Sequence, residues 1–443
     1  MISIETLRND AKDILMAGVK ACNARDAVRR NLQLVDGELL CGNSTVLLDE
    51  YKRILVVAIG KAAADMALGA HDVLGDLVHI YFVITKYGHG KDIDRLGMRL
   101  FESGHPVPDV AGVTAATEMI HLLEETSDKD LVIFLISGGA SALCTLPEDD
   151  ITLEDLQETT KRLLLAGADI RELNTVRKHI SRSGGGKLAG IVYPSRVVAL
   201  VVSDVIGNDL DVIASGPLTP DPTTYQDALE VVDRLRVELP VSVKDYLLRG
   251  IAGGVPETPK PGSPEFENIS IRVIADVLLA LREAASRAEA LGYESSILTS
   301  RLEGESRELG KTVGNIAVNV VKENVPHSPP VALLLGGETT VTVRGNGVGG
   351  RNQELALSAA LAMQECENVV VASMGTDGTD GPTDAAGGIV DGLTVARGKV
   401  AGLDAKQYLA RNDAYNYLKA TGDLIFTGPT GTNVNDLVLV LAR

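Results

Sequence analysis

Residues 336 to 354 read GGETTVTVRGNGVGGRNQE, a glycine-dense segment closing on Arg351 at the expected start of a helix. Glycine allows positive φ and close backbone approach, so such a loop can bring bare N–H groups and a guanidinium to one point. That suits a densely charged anion such as a transferring phosphoryl group. Seen alone, the segment is equally a tight β-turn. It also spells G-x-G-x-x-G at Gly345, Gly347 and Gly350, with Asp377 near the end of the next apolar run. That pattern makes a nicotinamide-dependent oxidoreductase the rival reading. Against the rival, the preceding run is a short hairpin partner, and Asp377 lies beyond the usual spacing of about twenty residues.

Other segments carry chemistry of the same kind. Gly60-Lys61 follows the apolar run ILVVAI and opens a helix, where ligands of open α/β sheets bind. It is no Walker A loop, because Ala62 stands where Ser or Thr would hold Mg²⁺. Ser137-Gly138-Gly139-Ala140-Ser141 follows LVIFLI in the equivalent place, and it can bind an anion or simply cap a helix. Leu143 stands where a G-x-S-x-G elbow needs glycine, which removes a serine hydrolase. LNTVRKHISRSGGGKLA carries Asn174, Arg177, Lys178, His179 and Lys187, a weak signal unless it lies beside the two loops before it. Asp204 closes the run VVALVVSD, placed to act as a base or a metal ligand, or to cap a turn. Asp377, Asp380 and Asp384 crowd one loop, either a cation site or a solvated turn, without EF-hand spacing. TGPTGTNVND (427–436) is a third polar loop in that half, more than hairpins require.

The elements that must position these residues are legible as apolar runs. ILVVAI (54–59), HIYFVIT (79–85), LVIFLIS (131–137) and VVALVVSD (197–204) lack alternation, as parallel strands covered on both faces do. Helical stretches near 111–126, 152–166 and 224–249 complete a βαβα rhythm, and the first fifty residues read as largely helical. The Pro/Gly-rich stretch 253–266 is the expected boundary, giving domains 1–255 and 256–443. In the second, TTVTV (339–343) directly follows another strand and predicts a hairpin in a mixed sheet. Whether the last strand, LVLVLAR, returns to the first domain stays open. The fold class is therefore α/β, a doubly wound Rossmann-like parallel sheet followed by a smaller α/β domain. With 45% hydrophobic residues the chain can bury a large core, and its formal charge of −18 argues against nucleic acid. No apolar run reaches membrane-spanning length, and four dispersed cysteines point to a reducing cytoplasm.

Taken together, AIGKAAADMA, TKYGH, SGHPVPD, LISGGASAL, LNTVRKHIS, SDVIGNDLDVIASGP, GGETTVTVRGNGVGGRNQELAL, GTDGTDGPTDAAGGIVDG and GPTGTNVND resemble the glycerate 2-kinase family, from about residue 50 onward. Its C-terminal half is the MOFRL domain. The resemblance implies ATP- and Mg²⁺-dependent phosphorylation of D-glycerate at its 2-hydroxyl, in a cleft between two domains. It implies Lys61, Asp204 and Arg351 as the catalytic set. Ser137, Gly138, Gly139, Ser141, Asn174 and Arg177 are the expected substrate contacts. Gly337, Glu338, Thr339, Gly347, Gly349, Gly350 and Asn352 are the expected nucleotide contacts, with Asp377 and Asp380 on the metal. Relatives long labelled hydroxypyruvate reductases give the rival an NAD(P)-dependent form. Two positions depart from the family pattern, Gly184 and Val348, where lysine is usual. No membrane or nucleic-acid partner is expected, and the oligomeric state stays open, with a homodimer as one form.

Overall fold

Apolar runs that lack alternation need cover on both faces, and such runs build the sheets of this protein. The computed structural model describes residues 3–42, 44–90 and 93–443. It divides into two units, one of residues 24–274 and one of residues 275–443 joined by the helix Ile4–Ala21.

In the first unit, β1 (Leu32–Val35), β2 (Glu38–Cys41) and β3 (Ser44–Leu47) form a small antiparallel meander. The main sheet contains β4 (Arg53–Ile59), β5 (Ile80–Lys86), β6 (Arg99–Ser103), β7 (Asp130–Ile136), β8 (Arg196–Val202) and β9 (Ile269–Ala275), in the order β6-β5-β4-β7-β8-β9. Strands β4 to β8 pair in parallel. The core under this sheet includes Leu55, Val57, Phe82, Phe134 and Val201, each nearly free of solvent. Burying side chains of this size contributes about 1.5–3 kcal/mol apiece. From the centre the chain runs outward through β5 and β6 on one side and through β8 and β9 on the other. The carboxyl ends of β4 and β7 therefore flank a topological switch point, where open α/β sheets bind ligands.

The second unit holds β10 (Glu294–Glu305), β11 (Val331–Thr340), β12 (Val369–Gly375), β13 (Gly387–Asp391), β14 (Leu424–Ile425) and β15 (Asp436–Ala442). Their order is β10-β11-β15-β12-β13-β14, with β10 and β11 parallel and the other pairs antiparallel, so the sheet is mixed as expected. The last strand lies at the middle of this sheet and completes its own unit. The helix Ile4–Ala21 buries Leu7, Ala11 and Ile14. Its Arg8 pairs with Asp391 at 2.5 Å and Asp423 at 2.7 Å, two buried carboxylates that Arg397 also binds. Among the described residues no helix is long and apolar enough to cross a membrane.

Four expectations change. The Pro/Gly-rich stretch is a loop before β9, which joins the first sheet, so the units part at 274/275 instead of 255/256. The first helix belongs with the second unit. Pro240 separates the helices Tyr225–Leu235 and Val241–Ile251 within the stretch 224–249. TTVTV forms no hairpin, since β11 ends at Thr340 and residues 341–350 run as an irregular loop.

Candidate active site

At the switch point, the turns after β4 and β7 are tied together. Lys61 N–H donates to Gly138 O at 3.0 Å, Ser137 N–H to Ile59 O at 3.0 Å, and Ala62 N–H to Ser137 Oγ at 3.0 Å. Buried Ser137 is thus a fastener between loops, with its Oγ engaged by main chain. Asp204, just beyond β8, reaches the same turn. A Cβ on Gly138 would lie 1.8 Å from Asp204 Oδ2, so only a bare Cα lets the carboxylate sit there. Gly139, at φ +84°, serves its other neighbours similarly: a Cβ would meet His105 Nε2 at 3.1 Å and Lys61 Cε at 3.1 Å. One two-glycine turn therefore gathers an ammonium, a carboxylate and an imidazole. Burial first, then the charge of Lys61, pushes the His105 pKa down to about 4.

Behind the turn lies the helix Ile170–His179. Asp169 and Glu172 form a capping box at its start, a device contributing about 1 kcal/mol. Asn174 and Arg177, three residues apart, share one face of it. Arg177 Nη2 donates to Ser141 O at 3.0 Å, while Ser215 Oγ donates to Asn174 Oδ1 at 2.9 Å and lies 3.0 Å from Ser141 Oγ. The helix therefore lies beside the SGGAS turn, one of the two loops that the sequence reading asked it to join. Burial pushes the Arg177 guanidinium down to about 10. Ser141, Arg177, Ser183, Gly184 and Ser215 line a cavity of about 10 Å³, room for a single water. A Cβ at Gly184 would meet Ser215 Cβ and O at 3.3 Å, so glycine keeps this wall of the cavity uncrowded.

In the second unit, Arg351 opens the helix Arg351–Ala362. Its Nε and Nη2 hold the two oxygens of Asp436 at 2.6 and 3.0 Å, and Nη1 holds Glu338 Oε1 at 2.7 Å. Burial works against this cation, but Asp436 outweighs it and holds the guanidinium firmly protonated. Asp380, from the GTDGTDG loop, caps the same helix. Its Oδ1 accepts from Asn352 N and Nδ2, and its Oδ2 from Gln353 N at 2.8 Å. Burial pushes the Asp380 carboxyl up to about 7 against the pull of those N–H groups, and the Asp436 charge adds to the rise. Asn352 bridges the two acids through Nδ2, 3.0 Å from Asp436 Oδ1, and accepts from Ser373 Oγ at 2.6 Å. The GTDGTDG and GPTGTNVND loops are stitched through Thr376, whose N–H donates to Asn435 O and whose Oγ1 accepts from Val434 N.

Several expected roles are corrected by these bonds. The glycine loop is not a row of free amides. Asn412 Oδ1 accepts from the N–H groups of Arg344 and Gly345, Arg411 O from Gly347, and Asp413 Oδ1 from Val348. Thr339 Oγ1 is engaged with Ser306 Oγ at 2.7 Å, and a Cβ on Gly337 would strike the backbone of Leu302. Gly350 lets Asp380 approach, since a Cβ there would lie 2.3 Å from its Cγ. Gly349 and Glu338 stay partly or fully exposed. Asp380 does not fit a metal, both of its oxygens being committed to the helix. Asp377 commits only Oδ1, to N and Oγ1 of Thr379. Among the described residues no group of three or more acids, histidines or cysteines stands ready to hold a cation. The sequence reading missed three residues. His105 and Asp436 lay in quoted motifs, SGHPVPD and GPTGTNVND, and Ser215 in IASGP, but nothing local tied them to partners 34 to 85 residues away.

Comparison with known proteins finds one family match in each half of the chain. Residues 331–436 match the MOFRL family, and residues 10–248 match a family described only as a domain of unknown function, DUF4147. A D-glycerate 2-kinase of Thermotoga maritima is 45% identical over 442 residues, covering 100% of both chains. A glycerate 2-kinase of Pyrococcus horikoshii is 42% identical over 426 residues, covering 96% of this chain and 94% of its own. The crystal structure of a glycerate kinase from Thermotoga maritima superposes with a TM-score of 0.87 at 44% identity, covering 99% of this chain and 100% of its own.

Proposed function

The chain belongs to the glycerate 2-kinase family, and we infer that it transfers the γ-phosphoryl group of ATP to the 2-hydroxyl of D-glycerate, giving 2-phosphoglycerate and ADP. The observation that carries the chemistry is the meeting of Lys61 and Asp204 over Gly138 and Gly139 at the switch point. Phosphoryl transfer asks little covalent work of a protein; it asks for an oriented hydroxyl and for cations on the moving group.

In this reading the carboxylate of D-glycerate lies against the Ser137–Ser141 turn. Arg177 supports that turn from behind through Ser141 O, and Asn174 does so through Ser215. Asp204 orients the 2-hydroxyl and takes its proton as the oxygen attacks phosphorus. The bond from Pγ to the bridging oxygen breaks, and ADP leaves with that electron pair. Lys61 stabilises charge on the transferring group. In the second unit, Asp436 fixes Arg351 while exposed Glu338 occupies the remaining edge of the guanidinium. We propose that a nucleotide phosphate displaces Glu338 there, with Gly349 and Gly350 alongside. Mg²⁺ would screen the phosphate charge, held by those phosphates and by Asp377 and Glu338, since a kinase ion needs only one or two carboxylates. A homodimeric assembly and a cytoplasmic setting belong to the same proposal.

The reductase reading is weakened: a dinucleotide fingerprint needs amides turned toward a pyrophosphate, and here those of Gly345 and Gly347 are taken by Asn412 and Arg411. Purified protein given D-glycerate and Mg-ATP should release ADP, and should leave NADH unchanged with hydroxypyruvate. Oxidation of NADH without ADP release would hand the case to the reductase.

A further inference from the structure

D-Glycerate carries three polar groups, and the reading above finds partners for two: the carboxylate at the Ser137–Ser141 turn and the 2-hydroxyl at Asp204. The 3-hydroxyl has none. His105 stands at that turn, its ring against the bare Cα of Gly139, where a Cβ would meet Cδ2 at 2.9 Å and Nε2 at 3.1 Å. Gly139 is one residue from the glycine that receives Asp204, so ring and carboxylate address neighbouring points of one small ligand. The imidazole is partly exposed, and Lys61, Lys86 and His89 contribute positive charge on its surroundings. That field, added to burial, keeps the ring neutral. A neutral imidazole can give or accept a hydrogen bond with an uncharged hydroxyl. A carboxylate or phosphate at the same point is drawn instead to the ammonium of Lys61.

We propose that His105 binds the 3-hydroxyl of the acceptor and thereby sets a preference for a 2,3-dihydroxy acid over its 3-deoxy analogue. The proposal rests on the D-glycerate kinase reading and deepens it. A site built to hydrogen-bond a hydroxyl discriminates against the ligand lacking it, because the protein group is then left unpaired.

The test changes one group on each side. Titration calorimetry compares D-glycerate with D-lactate, which lacks only the 3-hydroxyl, on the wild type and on His105→Ala. The substitution should weaken D-glycerate by about tenfold to a hundredfold and shift D-lactate by less than about threefold. His105→Gln, which keeps a neutral donor and acceptor, should recover part of the loss. Should His105→Ala fail to fold, His105→Phe fills the space without a polar atom and takes its place. Equal weakening of both acids, or of neither, overturns the proposal. A wild type that releases no ADP with D-glycerate defeats the kinase reading itself; one that turns over while both acids respond alike defeats only the assignment of His105.

Discussion

Arg351 enters this structure already paired, and that changes what its charge can do. A guanidinium held along its Nε–Nη2 edge by both oxygens of Asp436 is fixed in direction, and fixed donors lose nothing to reorganisation when charge develops in front of them. Arg351→Ala should therefore lower kcat by about 10²–10³-fold while circular dichroism stays unchanged; normal turnover would strip the residue of its role. Residue identity was legible in the sequence, whereas pairing was not, because Arg351 and Asp436 meet only through the fold. His105 carries a prediction of its own. Its pKa is held at about 4 against an ordinary 6.5, by burial and then by Lys61, Lys86 and His89. Between those values the unfolded chain binds a proton that the folded one refuses, so stability falls as pH drops from 6.5 toward 4. Melting temperatures across that range should fall more steeply in the wild type than in His105→Asn; parallel curves would mean a histidine titrating as if free.

At the scale of elements, the site depends on two strand ends brought side by side with glycine where side chains cannot fit. Gly138 does not adopt positive φ, so alanine there keeps the backbone but puts a Cβ 1.8 Å from Asp204 Oδ2. The carboxylate must move, and misplacement of about 1 Å costs on the order of 10²-fold in rate. Gly138→Ala should show that loss in kcat with an unchanged melting temperature, and a fully active variant would remove Asp204 from the reaction. The strands that present these turns were legible because β4, β5, β7 and β8 are buried on both faces and read as unbroken apolar runs. The meander β1–β3 was not, since four-residue strands with exposed positions give no such run. Its one local signal was Asp36-Gly37, both at positive φ, the dipeptide of a tight hairpin. TTVTV misled for the opposite reason: β-branched residues continued beyond the point where pairing stops at Thr340.

For the whole molecule, the α/β class and the two-unit organisation follow from the rhythm of apolar runs, but the division of the chain does not. Prolines and glycines at 253–266 mark a loop, and a loop is not a boundary when the next strand still belongs to the sheet before it. Nor does sequence order reveal that the opening helix serves the second unit, where Arg8 meets Asp391 and Asp423. A chain with a formal charge of −18 must place cations locally to hold anionic ligands, and in the proposed function Lys61 and Arg351 are those cations. The central claim is phosphoryl transfer to one particular oxygen. Phosphorus NMR of the product formed from D-glycerate and Mg-ATP reads that oxygen directly. Phosphate on the 2-oxygen couples to a single proton and gives a doublet, the predicted result; a triplet, from phosphate on the 3-oxygen with its two protons, would contradict the account.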